Sequence, residues 1–295
     1  MNPPHPETTN AEAGSQAGTA EAALGCLTVL VPTRNERANI APLLERLRHV
    51  SRDLPLTVLF VDDSTDGTHE EIKELSAHMG CAIEVLHRPE ELRTGGLAGA
   101  VRVGLNATQT ELVCVMDADL QHPPEILPAL VRQARRSNAD VVVATRHGDG
   151  GEVAAFPTRR RVLSRASEMF ARGLFPRRLR AVSDPMSGFF LMRRMAVDVD
   201  ALRPCGFKIL LEILLSSSEL SIGEVGFRFG ERYAGESKAG LREGCRYVRH
   251  LIALRVSRWN PAGKRRHSLA ASVPVLSSDA GAPTPVLLAD ANASR

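Results

Sequence analysis

CVMDADLQHPPE, residues 114–125, begins in apolar residues, ends on two carboxylates at Asp117 and Asp119, and runs straight into Pro123-Pro124. The run ELVCVMD (111–117) reads as a buried strand, and PEILPALVRQARR (124–136) reads as the proline-initiated helix that follows it. Working outward, CLTVLVP (26–32), LTVLFVDDS (56–64), AIEVLHR (82–88) and DVVVATR (140–146) have the same strand character. Between them, ANIAPLLERLRHV (38–50), HEEIKELSAHM (69–79) and LAGAVRVGLNAT (97–108) have helical spacing of their apolar residues. Strands alternating with helices predict an α/β fold, a mostly parallel sheet flanked by helices on both faces. Ligands of such sheets bind beyond the carboxyl ends of the strands.

The acids and cations of the chain gather at those ends. The first strand delivers Pro32, Arg34, Asn35 and Glu36; the second Asp62, Asp63 and Asp66; the fourth Asp117, Asp119 and Gln121; the fifth Arg146. Taken one cluster at a time, helix capping by Ser64, Thr65, Asp66 and Thr68 is a sufficient explanation. Three acidic clusters and an arginine on one edge point to a site. The first strand runs into PTRNE rather than a glycine fingerprint, against a dinucleotide site. Gly95, Gly96 and Gly99 follow the third strand and suit close helix packing or the approach of a ligand.

Asp-Ala-Asp sets two carboxylates at i and i+2 on one side of an extended segment. Two acids alone would repel a diphosphate; with a hard cation, Mg²⁺ or Mn²⁺, they attract one and neutralise it as it leaves. The alternative is an acidic turn ahead of a proline-initiated helix.

Composition bounds the rest. With 295 residues, 43% of them hydrophobic, the chain can bury a full core. A net charge of +3 and few aromatics beside the arginines argue against nucleic acid as a partner. The five cysteines are scattered without metal-ligand spacing, as free thiols of a reducing compartment would be. No charged start precedes an apolar stretch, and no run nears the roughly 20 apolar residues of a membrane span, so neither export nor a helical anchor is expected. The expected organisation is a disordered segment 1–24, a single catalytic domain 25–240, a basic amphipathic helix 241–259 and a disordered tail 260–295.

VPTRNE, VDDSTDGT, MDADLQHPPE, VVATRHGDGG, SDPMSGFFLMRR and GERYAGESK follow one another at intervals that resemble the inverting family 2 glycosyltransferases with the GT-A nucleotide-sugar-binding fold. The nearest likeness is to dolichol-phosphate (polyprenol-phosphate) mannose synthases, over residues 27–255, with MDADLQHPP and RYAGESK the specific blocks. The resemblance implies that Pro32, Glu36, Val61 and Asp63 hold the nucleotide's base and ribose. It implies that Asp117, Ala118, Asp119 and Gln121 form the metal and diphosphate segment, with Asp117, Asp119 and Gln121 on the cation. Arg146, Arg232 and Lys238 would contact donor or acceptor phosphates, the last two from a lid. Arg34 stands where an aromatic is common in the family, and RTGGLAGAV departs from its usual form, which leaves the base preference open.

An acceptor hydroxyl would need a general base, whereas a phosphate is already ionised. RVSRW (255–259) mimics the family's Q-x-x-R-W helix but follows the lid and lacks the Gln, and FKILLEILL (207–215) is the expected acceptor-side helix, with Lys208 and Glu212 a surface pair. Ser183-Asp184 and Ser187-Gly188-Phe189 are expected to shape the acceptor side. The reaction implied is transfer of mannose from GDP-mannose to a polyprenyl (dolichyl) phosphate. A UDP-glucose-dependent polyprenyl-phosphate glucosyltransferase, or transfer to a soluble acceptor, remains the alternative. The basic stretches 158–180 and 241–259 fit either a lipid surface or amphipathic helices packed on the domain. Many relatives carry C-terminal membrane helices and this chain has a polar tail, so the expectation is a peripheral protein at the cytoplasmic face of a membrane, alone or with a separate membrane-anchoring partner.

Overall fold

The computed structural model describes residues 27–77, 79–147, 152–153, 158–203, 208–217, 219–230, 233–234, 248–249, 251–252 and 255–256, with only the backbone described for 152–153 and 158–165. Arg232 and Lys238 lie outside the described residues, as do the terminal stretches 1–24 and 260–295.

Five strands run where the apolar runs place them: β1 (Leu27–Thr33), β2 (Leu56–Asp62), β3 (Ala82–His87), β4 (Leu112–Val115) and β5 (Val141–Thr145). Helices α1 (Arg37–Val50), α2 (Thr68–Ser76), α3 (Gly96–Ala107) and α4 (Leu127–Arg136) connect them. The chain then forms β6 (Glu152–Val153), α5 (Thr158–Leu174), α6 (Pro176–Leu179), β7 (Phe190–Arg193), α7 (Ile209–Ser216), β8 (Ile222–Gly226) and β9 (Arg228–Phe229). Seven strands make one sheet in the order β3-β2-β1-β4-β7-β5-β8, and β6 pairs with β9. The sheet is parallel except for β7, which runs antiparallel to both β4 and β5.

Strands buried on both faces read as unbroken apolar runs, and all seven residues of β1 are buried. On one face Val29, Val31 and Phe60 pack with Ile40, Leu43 and Leu47 of α1 and Leu127 and Leu130 of α4. On the other, Leu30, Leu59 and Val61 pack with Val101 and Leu105 of α3 and with α7. The glycines of α3 serve packing: a Cβ on Gly104 would fall 2.3 Å from Leu30 Cδ1, and one on Gly99 would fall 2.0 Å from the Thr94 carbonyl oxygen.

The expected surface pair on the acceptor-side helix is overturned. Ile209 through Leu215 are all buried, Glu212 included, and its Oε1 accepts the Arg203 backbone N–H. A helix apolar on every side is an interior helix, so Glu212 within it and Lys208 just ahead of it serve the interior as well. No described helix is long and apolar enough to cross a membrane.

Candidate active site

Strand register sets the first half of the site. Thr33 stands opposite Asp62, and Asp62 opposite His87, at the carboxyl ends of β1, β2 and β3. Asp62 is fully buried. Its Oδ1 accepts the Thr33 hydroxyl at 2.7 Å and the Ser64 hydroxyl at 2.5 Å, and its Oδ2 accepts the Ser64 N–H at 3.2 Å and meets His87 Nδ1 at 2.8 Å. One residue on, Asp63 forms a buried bidentate pair with Arg88, Nε to Oδ1 at 2.7 Å and Nη2 to Oδ2 at 2.5 Å.

The loop after β1 is sewn to the loop after β2. Asn35, at φ +55°, donates its N–H to Ser64 Oγ at 2.7 Å and accepts the Thr65 N–H on Oδ1 at 2.9 Å. The Glu36 N–H reaches Thr68 Oγ1 at 3.2 Å, while Glu36 Oε2 accepts Asn39 Nδ2 at 2.6 Å. Asp66, predicted as a cap, accepts both the N–H and the hydroxyl of Thr68 at the start of α2, where Gly67 takes φ +85°. A cavity of about 570 Å³ opens here, lined by Asn35, Glu36, Asn39, Asp66, Glu71 and Ala234. Asn39 Oδ1 is buried without a partner among the described residues. Pro32 and Val61 are register partners buried beneath this end of the sheet.

The Asp-Ala-Asp segment lies outside that cavity's lining. Ala118 and Asp119 are buried, whereas the Asp117 side chain keeps 38% of its exposure. The Asp117 N–H is accepted by Nδ1 of His122, which is stacked on Phe189 with ring centroids 5.1 Å apart. Burial pushes the His122 pKa down to about 4, so near neutral pH the ring is uncharged and its Nδ1 offers no proton to the Asp117 carboxylate 3.6 Å away. Asp119 Oδ1 accepts the Gln121 N–H at 3.1 Å across Leu120, a leucine at φ +65°. A leucine there is strained, and the hydrogen bonds of Asp119 and Gln121 hold it in place. Gln121 exchanges bonds with Gly230, and the Asp119 carbonyl accepts the Tyr233 N–H, so the start of the GERYAGESK stretch is attached to this turn. A Cβ on Gly188 would sit 3.1 Å from Asp117 Oδ2, so any larger residue would press on that carboxylate. Two carboxylates and a side-chain amide make an all-oxygen donor set, the kind hard divalent cations take.

Arg146 faces this turn from β5. Asp184 accepts its Nε at 2.7 Å and its Nη2 at 2.9 Å, and the guanidinium lies over the Phe229 ring, 5.6 Å from the centroid. Burial works to raise the Asp184 carboxyl, but the bidentate arginine holds it below the usual carboxylate range. Lys208, just ahead of α7, donates to the Met186 carbonyl at 3.1 Å. Burial and the Arg146 guanidinium push its pKa down to about 8, against the pull of Asp184 and Asp117. Lys208 and the Asp184-paired Arg146 thus form a wall in which Lys208 feels the charges of Arg146, Asp184 and Asp117. Sequence reading missed Asp184 as the partner of Arg146, Lys208 as part of this wall, and His122. The apolar sequence after Lys208 was the available signal.

Two arginines of the stretch 158–180 have work inside the protein. Arg172 caps the turns after α5, donating to the carbonyls of Leu179, Val182 and Ser183 and pairing with Glu168, and Arg178 donates to the Ser217 carbonyl. Met169 and Phe170 on α5 are exposed, Met169 at 72%. In the second basic stretch Leu251 is buried, while Val248, Ile252 and Val256 are exposed.

Residues 28–199 match the family described as Glycosyl transferase family 2. The chain belongs to this glycosyltransferase family. A curated dolichol-phosphate mannosyltransferase from Pyrococcus furiosus is 38% identical over 229 residues, 77% of this chain and 63% of that protein. The chain therefore spans a little under two thirds of the length of that relative. A dolichol-phosphate mannosyltransferase from Saccharomyces cerevisiae is 36% identical over 78% of this chain and 86% of its own. Among solved structures, mannosyl-3-phosphoglycerate synthase from Rubrobacter xylanophilus aligns with a TM-score of 0.56 at 20% identity, over 85% of this chain and 79% of that one. Glucosyl-3-phosphoglycerate synthase from Mycobacterium tuberculosis, solved with Mg²⁺ and uridine diphosphate, aligns at 0.56 and 21%, over 86% and 84%. These likenesses bear out the expected GT-A fold of a family 2 glycosyltransferase.

Proposed function

We propose that this glycosyltransferase moves mannose from GDP-mannose onto a polyprenyl phosphate, with inversion at the anomeric carbon. The observation that carries the reading is the wall of Lys208 and the Asp184-paired Arg146, with Lys208 within electrostatic reach of Asp117, where a phosphate acceptor would meet the donor's diphosphate. Relatives named as dolichol-phosphate mannosyltransferases support the choice of sugar and lipid.

In this reading the nucleotide lies along Glu36 and the ends of β1 and β2, over a floor of Pro32, Val61 and the Arg88-paired Asp63, and Asp117, Asp119 and Gln121 would hold Mg²⁺ or Mn²⁺. The ion supplies neutralisation of the departing diphosphate. A phosphate oxygen of the acceptor forms the new bond to the anomeric carbon from the face opposite the diphosphate. The bond to the diphosphate breaks and GDP leaves. The nucleophile carries no proton, so no base is required. The carboxylates beside the wall are engaged accordingly, Asp184 with Arg146 and Glu168 with Arg172. Arg232 and Lys238 would close over the phosphates. Met169 and Phe170 on α5 would rest at a membrane surface, placing the protein peripherally at the cytoplasmic face.

The deciding experiment measures transfer of labelled sugar from GDP-mannose, and separately from UDP-glucose, into an organic-extractable product with polyprenyl phosphate and Mg²⁺ or Mn²⁺. Chelator-sensitive product from GDP-mannose alone is the expected result. Product from UDP-glucose alone would reassign the donor, and label appearing only on water-soluble acceptors such as 3-phosphoglycerate would overturn the lipid.

A further inference from the structure

At the edge of the sheet away from the Asp-Ala-Asp turn, Asp62, His69 and His87 bring one carboxylate oxygen and two imidazole nitrogens within 4.8 Å of one another. Among the described residues no other group of three histidine, cysteine, aspartate or glutamate side chains converges in this way. We propose that these three side chains form a second divalent-cation site, for a borderline ion such as Zn²⁺, separate from the carboxylates of the Asp-Ala-Asp turn.

The geometry is built from the backbone outward. Asp62 and His87 are register partners on adjacent parallel strands, so their side chains leave the same face side by side. Gly67, in the left-handed region, turns the chain into α2 and brings His69, the second residue of that helix, over the pair. The two imidazoles stack with centroids 4.1 Å apart and planes at 29°. Nδ1 of His87 lies 2.8 Å and Nδ1 of His69 lies 3.9 Å from Asp62 Oδ2. Bonds of about 2.0 Å to a tetrahedral ion set donor atoms about 3.3 Å apart, a spacing that these two distances bracket. Glu70 Oε2, 2.9 Å from His69 Nδ1, stands in reach as a fourth donor.

The rest of the surroundings suits a ligand set. The other oxygen of Asp62 is held by the Thr33 and Ser64 hydroxyls, an arrangement that orients a ligating carboxylate from behind. Asp62 is fully buried, while His69 and His87 keep 24% and 31% side-chain exposure, which opens a path to solvent. Two nitrogens with one or two carboxylate oxygens favour Zn²⁺ or Co²⁺ over the hard ions. Bound there, the ion would tie the start of α2 to the ends of β2 and β3. Asp66 and Glu71, which line the cavity, flank that junction, so occupancy would stiffen one wall of the nucleotide end.

The test uses the untagged full chain, stripped with chelator and then titrated with Co²⁺ in excess Mg²⁺. The expected result is the visible absorption of one equivalent of low-coordinate Co²⁺, displaced by Zn²⁺ and retained in Asp119→Asn. His69→Gln and His87→Gln should each weaken Co²⁺ binding by at least about tenfold, and the double variant should abolish the band. Zn²⁺ should raise the thermal midpoint of the wild type and leave that of the double variant unmoved. Thermal midpoints without metal show whether the variants fold; His69→Gln alone, at a partly exposed position, keeps the test open if the double variant does not. Absence of the band in the wild type, or its survival at wild-type intensity in a folded His69→Gln or double variant, overturns the proposal.

Discussion

At the end of β2, Asp62 and Asp63 give their oxygens to neighbours: Thr33, Ser64 and His87 in one case, Arg88 in the other. At the end of β4, Asp117 keeps its side chain partly in solvent, beside a glycine that makes room for it, and Asp119 is placed by a strained turn. VDDS and MDAD look alike on the page. The contrast is between two carboxylates enclosed by the protein and a turn whose first carboxylate reaches solvent. Asp63, buried with both oxygens on Arg88, holds the frame, and the half-exposed Asp117 can be reached from solvent.

The contrast breaks first, and most severely, at Asp119. Asp119→Ala should cut sugar transfer by about 10²–10³-fold or more while leaving the thermal midpoint near that of the wild type; normal transfer would remove the cation from this turn. Asp63→Asn is the opposite experiment. It leaves Arg88 buried without its charge partner, and urea unfolding should show a loss of about 3–5 kcal/mol. A fully stable Asp63→Asn protein would mean that the two ends are less different than their bonding suggests.

Gly188→Ala sharpens the comparison with a smaller step. The new methyl must displace Asp117 Oδ2 by a few tenths of an ångström. Transfer should fall about tenfold, with half-maximal activity moved to higher Mn²⁺, and little change in unfolding free energy. The smallest effect is a pH limb. Lys208, with its pKa lowered to about 8, is charged below that value and loses its charge as pH rises through it. kcat/KM for the phosphate acceptor should decline across that range by at most about tenfold. Lys208→Arg keeps its charge and should move the limb to higher pH; an unmoved limb would take Lys208 out of the wall.

Much of this was legible in the sequence because β1, β2, β4 and β5 are nearly continuous apolar runs, which parallel strands covered on both faces require, while β3 at the sheet edge alternates. The acids and Arg146 could be placed at one edge for the same reason. What sequence could not supply was register and reversal. Nothing in AIEVLHR says that His87 stands level with Asp62, and FLMR is too short to announce a strand inserted antiparallel between β4 and β5. Lys208 and Glu212 were legible in principle. ILLEILL is apolar all round, and a helix-surface reading of its charges conflicts with that pattern.

Because β7 runs against its neighbours, its first residues arrive at the edge where every other strand of the large sheet delivers its last. The chain leaves that edge at Arg146 and returns to it at Ser187, with α5 and α6 in between. The excursion starts and finishes at one place, so it behaves as a cassette. Its length can change without altering the strand order of the large sheet. A fold arranged in this way lets one stretch of chain diverge while the order of the strands around it is kept.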